Sequence, residues 1–285
     1  MDDRAILTRR DFLLHAGASG FALAVQPVVA QQVITTPATG LKVGDASVRA
    51  ADGKTLPVYF ARPDNGERSA VVLVVQEIFG VHEHIRDVCR RFARAGYLAI
   101  APELYFRQGD PSSLASVQDI LERIVSRVPD AQVMSDLDAC VAWADGQGGD
   151  AKRVHVTGFC WGGRVTWLYA AHRAGLRSGV AWYGRLDGVP NDVTPEHPLD
   201  IVASIKAPVL GLYGGKDQGI PVSDVDAMRA ALAQGTAPAA ARASEIVLYP
   251  DAPHAFHADY RPSYRAAEAQ DGWKRCLDWM QRHDG

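Results

Sequence analysis

The sequence lacks the features that mark several protein classes. Its 285 residues include only four cysteines, whose irregular spacing matches no zinc site or small disulfide framework and contains no Cys-x-x-Cys redox motif. Three of them, Cys89, Cys140 and Cys276, lie in helical patterns and are interpreted as packing residues. The formal net charge is only −3 and no basic stripe is present, so nothing indicates nucleic-acid binding. Beyond the N-terminal region, no stretch is long and apolar enough to span a membrane.

The N-terminal region resembles a bacterial export signal. Residues 1–30 contain an Arg-Arg pair, then a modestly apolar stretch and a small-residue cleavage site at Ala30, which together resemble a twin-arginine signal peptide. The alternative is a disordered N-terminus with a chance arginine pair. The signal predicts a periplasmic or otherwise extracytoplasmic protein with no stable membrane span after cleavage. Residues 31–44, which carry Thr, Pro and Gly, are predicted to be a flexible leader.

Residues 45–285 are predicted to form one α/β domain, because no linker or internal repeat divides them. After a hairpin pattern, continuous β-branched apolar runs alternate with amphipathic helical patterns. Such runs are typical of parallel strands covered by helices on both faces, so a mostly parallel, doubly wound sheet is expected. Polar or reactive residues follow five of the predicted strands: Glu77, Arg107, Cys160, Asp217 and His254. Sites in such sheets form at the carboxyl ends of strands.

The sequence VHVTGFCWGG at residues 154–163 indicates a nucleophile elbow. A strand pattern runs into Gly-x-Cys-x-Gly, and a helical pattern follows. Side chains at Gly158 or Gly162 would collide where the strand and the helix approach each other. The turn would present Cys160 at a helix N-terminus, which favours the nucleophilic thiolate. The competing interpretation is a buried cysteine in a glycine-rich turn.

A thiol nucleophile needs a base and a residue that orients the base. His254, in the loop after the last predicted strand, is the candidate base; His257 and a plain surface role for His254 are the alternatives. Asp217, in a loop after another strand, is the candidate orienting acid, while Asp224 and Asp226 in the following helix fit this role less well. The order nucleophile, acid, histidine matches that of the α/β-hydrolase fold, which we therefore predict.

The loop after the first central strand carries two further candidates. The oxyanion hole is expected to use the backbone N–H of Trp161 and that of Ile78, with Phe79 as the alternative to Ile78. Glu77 directly follows a buried strand, where a carboxylate needs a partner or a proton. Glu77 either exchanges a proton with Cys160 or is a hydrogen-bonded structural carboxylate.

The sequence resembles the dienelactone hydrolase (carboxymethylenebutenolidase) family from about residue 48 to the C-terminus. The resemblance rests on the motifs QEIFG at 76–80, LYFRQ at 104–108, GFCWGG at 158–163, GKD at 215–217 and HAF at 254–256. It implies a hydrolase that cleaves the ester bond of a lactone, a carboxylate-bearing dienelactone in particular, through a thioester intermediate. No cofactor is implied, no metal site is predicted, and the expected protein is a monomer that acts on a small molecule.

The resemblance also implies roles for individual residues. Cys160, His254 and Asp217 correspond to the family's catalytic triad, and Glu77 takes the thiol proton when substrate arrives. The oxyanion hole corresponds to Ile78 and Trp161. The substrate carboxylate is implied to bind a guanidinium group, which forms two parallel hydrogen bonds with it. Arg107 is the residue to which the resemblance assigns this contact.

The sequence departs from the family pattern at one substrate-binding position. The best-known members carry a second arginine four residues after the catalytic histidine, where this chain has Ala258, and Arg261 is the candidate replacement. Those members are also cytoplasmic, whereas this chain carries an export signal pattern. Two alternatives therefore stay open: a broad-specificity small-ester or thioester hydrolase on the same site, and an exported small-molecule binding protein on a hydrolase scaffold.

Overall fold

The computed structural model describes residues 33–285, in which eight β-strands alternate with seven α-helices. The strands are β1 (Leu41–Arg49), β2 (Thr55–Pro63), β3 (Ser69–Val75), β4 (Leu98–Pro102), β5 (Gly149–Phe159), β6 (Ser178–Trp182), β7 (Val209–Gly214) and β8 (Glu245–Tyr249). The helices are α1 (Glu83–Arg94), α2 (Val117–Arg123), α3 (Asp130–Asp145), α4 (Trp161–His172), α5 (Val222–Leu232), α6 (Ala239–Arg242) and α7 (Ala266–Arg282).

All eight strands belong to one sheet, with the spatial order β1-β2-β4-β3-β5-β6-β7-β8. β1 pairs antiparallel with β2 and β2 with β4, whereas every other pair of neighbours is parallel. The connections from β3 to β4 and from β4 to β5 run in opposite directions across the sheet. Because parallel crossovers are right-handed, the reversal places α1 and α3 on opposite faces. The predicted mostly parallel, doubly wound sheet is confirmed.

Helices pack against both faces of this sheet. On one face α1 and α7 meet through the rings of Phe92 and Trp273, whose centroids are 4.6 Å apart. On the other face α3 and α4 meet, where Tyr169 donates a hydrogen bond of 2.9 Å to Asp138. Every residue of β3, β4, β6 and β7 is buried as a result. The carboxyl ends of the parallel strands share one edge of the sheet, and this edge carries the candidate site.

The N-terminal boundary of the folded region differs from the prediction. β1 begins at Leu41, inside the predicted leader of residues 31–44, and pairs with β2 along its whole length. Before β1, the N–H of Thr36 donates to Asp87 of α1 (2.5 Å) and its carbonyl accepts from Arg90 (3.0 Å). The boundary predicted at residue 44 is therefore wrong. The polar composition of this segment gives no clear strand pattern, and β1 is held at the edge of the sheet by its pairing with β2.

The predicted export signal, residues 1–30, lies outside the described residues. Within residues 33–285, no helix is long and apolar enough to cross a lipid bilayer. The sequence pattern of residues 114–128 predicts a single helix, but the structure divides this segment. Ser116 caps α2 by accepting a hydrogen bond from the N–H of Asp119, and a short 3-10 turn follows α2 at residues 125–127.

Candidate active site

Cys160 stands at the junction of β5 and α4. β5 ends at Phe159 and α4 begins at Trp161, so Cys160 occupies the turn and caps the helix. Its backbone has φ 57° and ψ −111°, a strained conformation for a residue with a side chain. The N–H of Cys160 donates to the carbonyl oxygen of Trp182 at the end of β6 (3.0 Å). This bond ties the turn to the neighbouring strand and helps to hold the strained conformation.

Glycines on both sides of Cys160 let β5 and α4 approach closely. A Cβ atom on Gly158 would lie 2.1 Å from the carbonyl oxygen of Gly162. A Cβ atom on Gly162 would lie 2.4 Å from the carbonyl oxygen of Val75 in β3. Both obstructions are backbone atoms, which cannot move aside as a flexible side chain does. The geometry of the turn therefore requires glycine at these two positions.

Gly162→Ala is expected to lower the free energy of unfolding by about 1–3 kcal/mol or more, because the new methyl group forces β3 and α4 apart. Urea unfolding followed by circular dichroism measures this change. Gly235→Ala is the matched control, since a Cβ atom there meets nothing within 4 Å. Equal stability of the two variants would contradict the close approach at the turn.

The structure brings His254 and Asp217 together from different loops. Nδ1 of His254 lies 2.6 Å from Oδ2 of Asp217, and both side chains are buried. The other carboxylate oxygen of Asp217 accepts hydrogen bonds from the N–H groups of Gly219 (2.8 Å) and Ile220 (3.2 Å). These backbone hydrogen bonds hold the carboxylate of Asp217 in position, and Asp217 in turn orients the imidazole ring of His254.

The electrostatic environment of His254 favours the imidazolium ion. Burial by itself lowers the pKa of His254, but the negative charge of Asp217 and the interaction with Cys160, a hydrogen bond included, outweigh burial. The net effect raises the pKa of His254 to about 10. The histidine is therefore protonated at neutral pH, beside the side chain of Cys160.

Glu77 lies at the end of β3 in a buried cluster of its own. Its Oε2 accepts a hydrogen bond from Tyr260 and lies 3.5 Å from Nε2 of His82. Burial raises the pKa of Glu77, but the positive charge of Arg261 and the contact with His82 outweigh burial and hold that pKa well below its usual range. Its Oε1 makes no hydrogen bond to any residue between 33 and 285. Glu77 is thus an ionised carboxylate in which Oε2 accepts a hydrogen bond from Tyr260, while Oε1 accepts none from the described residues.

A cavity of about 270 Å³ opens beside Cys160. Most of its wall is apolar and comes from the loop after β3, from α2 and the turn that follows it, from the start of α4 and from the loop after β6. The apolar residues are Ile78, Leu121, Val125, Trp161, Val189 and Val193. Ile78 and Trp161, the predicted oxyanion-hole residues, therefore border the same space as Cys160. Arg164, Arg185 and His197 add nitrogen-bearing side chains to the wall.

Sequence reasoning missed the residues that the loop after β6 adds to this cavity. The sequence of residues 184–200 is typical of a Gly/Pro/Asp-rich excursion, and none of the predicted site residues lies in it. Arg185 nevertheless comes just after β6, as Cys160 comes just after β5. Sites form at the carboxyl ends of parallel strands, and the position of Arg185 after β6 is the sequence signal for its place in the cavity wall.

Known proteins share both the sequence and this architecture. The model of the dienelactone hydrolase family matches residues 56–284. This chain belongs to the dienelactone hydrolase family. A Methylorubrum extorquens protein is 57% identical over 278 residues, which cover 97% of this chain and 94% of the relative. An Escherichia coli K12 protein is 52% identical over 268 residues, which cover 94% and 96% of the two chains. Both bear the name "Putative carboxymethylenebutenolidase".

A solved structure supports the same assignment. The crystal structure of a Klebsiella pneumoniae protein described as a "Putative Dienelactone Hydrolase" matches with a TM-score of 0.81 and 53% identity. The match covers 85% of this chain and 99% of that one. The predicted family and the α/β-hydrolase fold are confirmed, and the chain is a hydrolase of the dienelactone hydrolase type. A non-enzymatic binding protein on this scaffold is accordingly not the favoured interpretation.

The two arginines assigned to substrate binding in this dienelactone hydrolase family member have other partners. Arg107 donates to both carboxylate oxygens of Asp136 (2.6 and 2.9 Å) and to Asp52 (2.7 Å), and it does not line the cavity beside Cys160. Arg261 is buried, donates to the hydroxyl of Tyr260 (3.1 Å) and lies over the ring of Phe79. Neither arginine lines the cavity beside Cys160, although Arg261 is close enough to interact electrostatically with Glu77 and Cys160.

Replacing Arg107 with glutamine is expected to destabilise the protein by about 3–5 kcal/mol, because the buried carboxylate of Asp136 loses its counter-charge. The Michaelis constant of the folded variant should change little. Chemical denaturation and steady-state kinetics measure the two effects, with Arg123→Gln, an exposed arginine, as the control. A large rise in KM with unchanged stability would instead support the substrate-binding role that the family resemblance implies.

Proposed function

We propose that this family member hydrolyses the ester bond of a lactone through a triad of Cys160, His254 and Asp217, with a thioester intermediate. The observation that carries the proposal is the hydrogen bond of 2.6 Å between Asp217 and a buried, protonated His254 that interacts with Cys160. The strained turn at Cys160 adds support, because strain of this kind is stored at functional sites. The family resemblance favours a carboxylate-bearing dienelactone as the substrate.

The acylation half-reaction begins with the thiol. Oε1 of Glu77 accepts the proton of Cys160 when substrate arrives, and the thiolate attacks the ester carbonyl. The backbone N–H groups of Ile78 and Trp161 donate to the oxyanion of the tetrahedral intermediate. The C–O bond of the ring then breaks, and the leaving oxygen takes a proton from the imidazolium of His254. The acyl group is now held as a thioester on Cys160, and His254 is neutral.

The deacylation half-reaction uses the same residues in reverse. Neutral His254, oriented by Asp217, takes a proton from water, and the resulting hydroxide attacks the thioester carbonyl. The tetrahedral intermediate expels the Cys160 thiolate and releases a carboxylic acid. Glu77 returns its proton to the thiolate, which restores the resting state. The net reaction adds one water molecule to the ester.

A rapid-quench experiment tests the covalent step. Mixing the protein with less than one equivalent of dienelactone and stopping the reaction with acid should trap an adduct heavier by the mass of the whole lactone, because ring opening loses no atoms. Peptide mapping should place the adduct on Cys160. Turnover that proceeds with no adduct at any quench time would overturn the thioester mechanism.

The apolar wall of the cavity favours a second candidate, a broad-specificity hydrolase of small esters or thioesters. Steady-state hydrolysis of a carboxylated dienelactone and of p-nitrophenyl acetate separates the two. A strong preference for the lactone supports the first proposal. Equal or better turnover of p-nitrophenyl acetate supports the second, with the same triad at work.

We also propose that residues 1–30 direct the protein across the bacterial inner membrane in a folded state. The Arg-Arg pair and the small-residue site at Ala30 support this proposal. Expression of the full chain in a bacterium, followed by cell fractionation and N-terminal sequencing, is expected to give a periplasmic protein that starts near Gln31. A cytoplasmic protein that keeps residues 1–30 would contradict the export proposal.

A further inference from the structure

Trp161 enters the proposed mechanism through its backbone N–H alone, and its side chain has no role there. The indole is half-buried and lines the cavity beside Cys160. Because both residues line the same cavity, the indole borders the space that a group attached to the sulfur of Cys160 would occupy. The position and rigidity of this ring therefore bear on which groups fit there.

The backbone of Trp161 cannot move closer to the sheet. Trp161 is the first residue of α4, and the next two residues are glycines packed on the ends of two strands. A Cβ atom on Gly162 would lie 2.4 Å from the carbonyl oxygen of Val75, and one on Gly163 would lie 2.5 Å from that of Trp182. The first turn of α4 is thus seated directly on the backbone of β3 and β6.

The indole ring of Trp161 also packs against other side chains. Its centroid lies 4.9 Å from that of Tyr105, with the two ring planes at 61°, and Tyr105 is itself buried. Trp161 further packs on a small apolar cluster built on Ile78 and Ile120. Close-packed neighbours of this kind leave a large side chain few other positions. The indole therefore forms a rigid wall that a bulky substrate group cannot push aside.

The cavity that Trp161 borders is small. Its volume of about 270 Å³ lies below the roughly 300–1,000 Å³ of sites that hold drug-sized ligands. Val189, another wall residue, is 65% exposed, so the cavity meets the solvent beside it. A slender chain can extend through that mouth, whereas a wide group has to fit against the indole. The rigid wall thus limits the width of a group next to Cys160 more than its length.

We propose that the side chain of Trp161 is a specificity determinant, which limits the width of the acyl group held beside Cys160 and selects narrow acyl groups over aromatic or branched ones. The inference rests on the proposed function for its ester chemistry. Its central claim is a steric limit at Cys160, and this limit applies to any reagent that reacts with the sulfur. The claim can therefore be tested with and without hydrolysis.

Alkylation of Cys160 tests the steric limit without any turnover. With iodoacetamide and with iodoacetanilide the sulfur displaces iodide from the same CH₂ carbon, and the transferred groups differ by one phenyl ring. The measurement is the ratio of the iodoacetanilide to the iodoacetamide rate constant at Cys160, each divided by that of free cysteine, from quenched mass spectrometry. The other three cysteines, Cys89, Cys140 and Cys276, are fully buried, and burial raises the pKa of each thiol, so they react slowly.

Trp161→Leu is expected to raise this ratio about tenfold, because loss of the indole makes room for the phenyl ring. Trp161→Phe, a smaller change, should raise it less and provides a second variant if Trp161→Leu does not fold. Trp143→Leu is the matched control, since Trp143 is half-buried, packs edge-on against Phe60 (5.7 Å between centroids) and does not line the cavity. An unchanged ratio in the folded Trp161 variants, or an equal rise in Trp143→Leu, would overturn the assignment.

Kinetics with an ester pair gives the second readout. p-Nitrophenyl acetate and p-nitrophenyl benzoate share a leaving group and differ in the width of the acyl group. Trp161→Leu is expected to raise kcat/KM for the benzoate relative to the acetate by about tenfold over the wild-type ratio. A wild-type ratio in this variant would overturn the assignment. If the wild-type protein hydrolyses neither these esters nor a dienelactone, the proposed function fails, and the alkylation ratio still decides whether Trp161 limits width at Cys160.

Discussion

Cys160→Ala is expected to lower kcat for ester hydrolysis by about 10⁴-fold or more. In the proposed mechanism the Cys160 side chain supplies the bond that holds the acyl intermediate, so its removal causes a large loss. The turn, His254 and the proposed oxyanion-hole donors stay in place, so substrate binding should persist. Steady-state kinetics with the favoured ester substrate measures the loss, and isothermal titration with the hydrolysis product measures binding.

Cys276→Ala provides the control for this prediction. Cys276 is a fully buried thiol in α7, and it does not line the cavity. Its replacement should cost some stability but leave kcat within about twofold of wild type, because only a packing contact is lost. If Cys160→Ala keeps wild-type activity, or if Cys276→Ala is equally inactive, Cys160 is not the nucleophile.

Asp217→Asn is expected to lower kcat by about 10³- to 10⁴-fold while the protein stays folded. The amide preserves the shape of the carboxylate but carries no charge, so the imidazolium of His254 is no longer stabilised. The oxygen that accepts from Nδ1 can also be replaced by an NH₂ group, which favours the wrong tautomer. Measurement of kcat across a pH range checks the loss of activity, and a crystal structure or NMR spectrum of the variant checks that it stays folded.

The same pair makes folding stability depend on pH. The folded-state pKa of His254 is about 10, above the ordinary value of 6.5. The stabilisation from this histidine is therefore fully present below about pH 6.5 and is lost as the pH rises through about 10. Urea unfolding of wild type from pH 6 to 10.5 should show this loss. Asp217→Asn should show much less of it, since burial alone lowers the pKa of His254.

Asp226→Asn is the matched control for both experiments. Asp226 is an exposed carboxylate in α5, close to Asp217 in sequence, and it pairs with Arg229 on the surface. Its replacement should leave kcat unchanged and keep the pH dependence of wild type, because surface ion pairs contribute little. If Asp226→Asn and Asp217→Asn behave alike, the contact between Asp217 and His254 has no special role.

The sequence allowed several parts of the fold to be predicted because their signals are local. The apolar runs of β3 and β7, and the helical pattern at 222–232, depend on the order of neighbouring residues alone. The division of the helix predicted at 114–128 was not foreseen, although Ser116 is a recognisable cap. The start of β1 was missed for another reason. An edge strand with polar residues is stabilised mainly by its partner β2, which no local window contains.

The candidate site also has features that the sequence predicts and features that only the tertiary structure reveals. The sequence by itself determined which residues follow parallel strands, and therefore that Cys160, Asp217 and His254 share one edge of the sheet. Only the tertiary structure decided which partners the charged ends of the long side chains contact. The side chain of an arginine is long, so its backbone position alone does not fix the place of its guanidinium group. Arg107 binds the buried carboxylate of Asp136 and does not line the cavity. Arg185 lines the cavity, and the preceding Gly184 packs closely on α4. Such choices depend on charges and contacts from distant segments, which no sequence motif records.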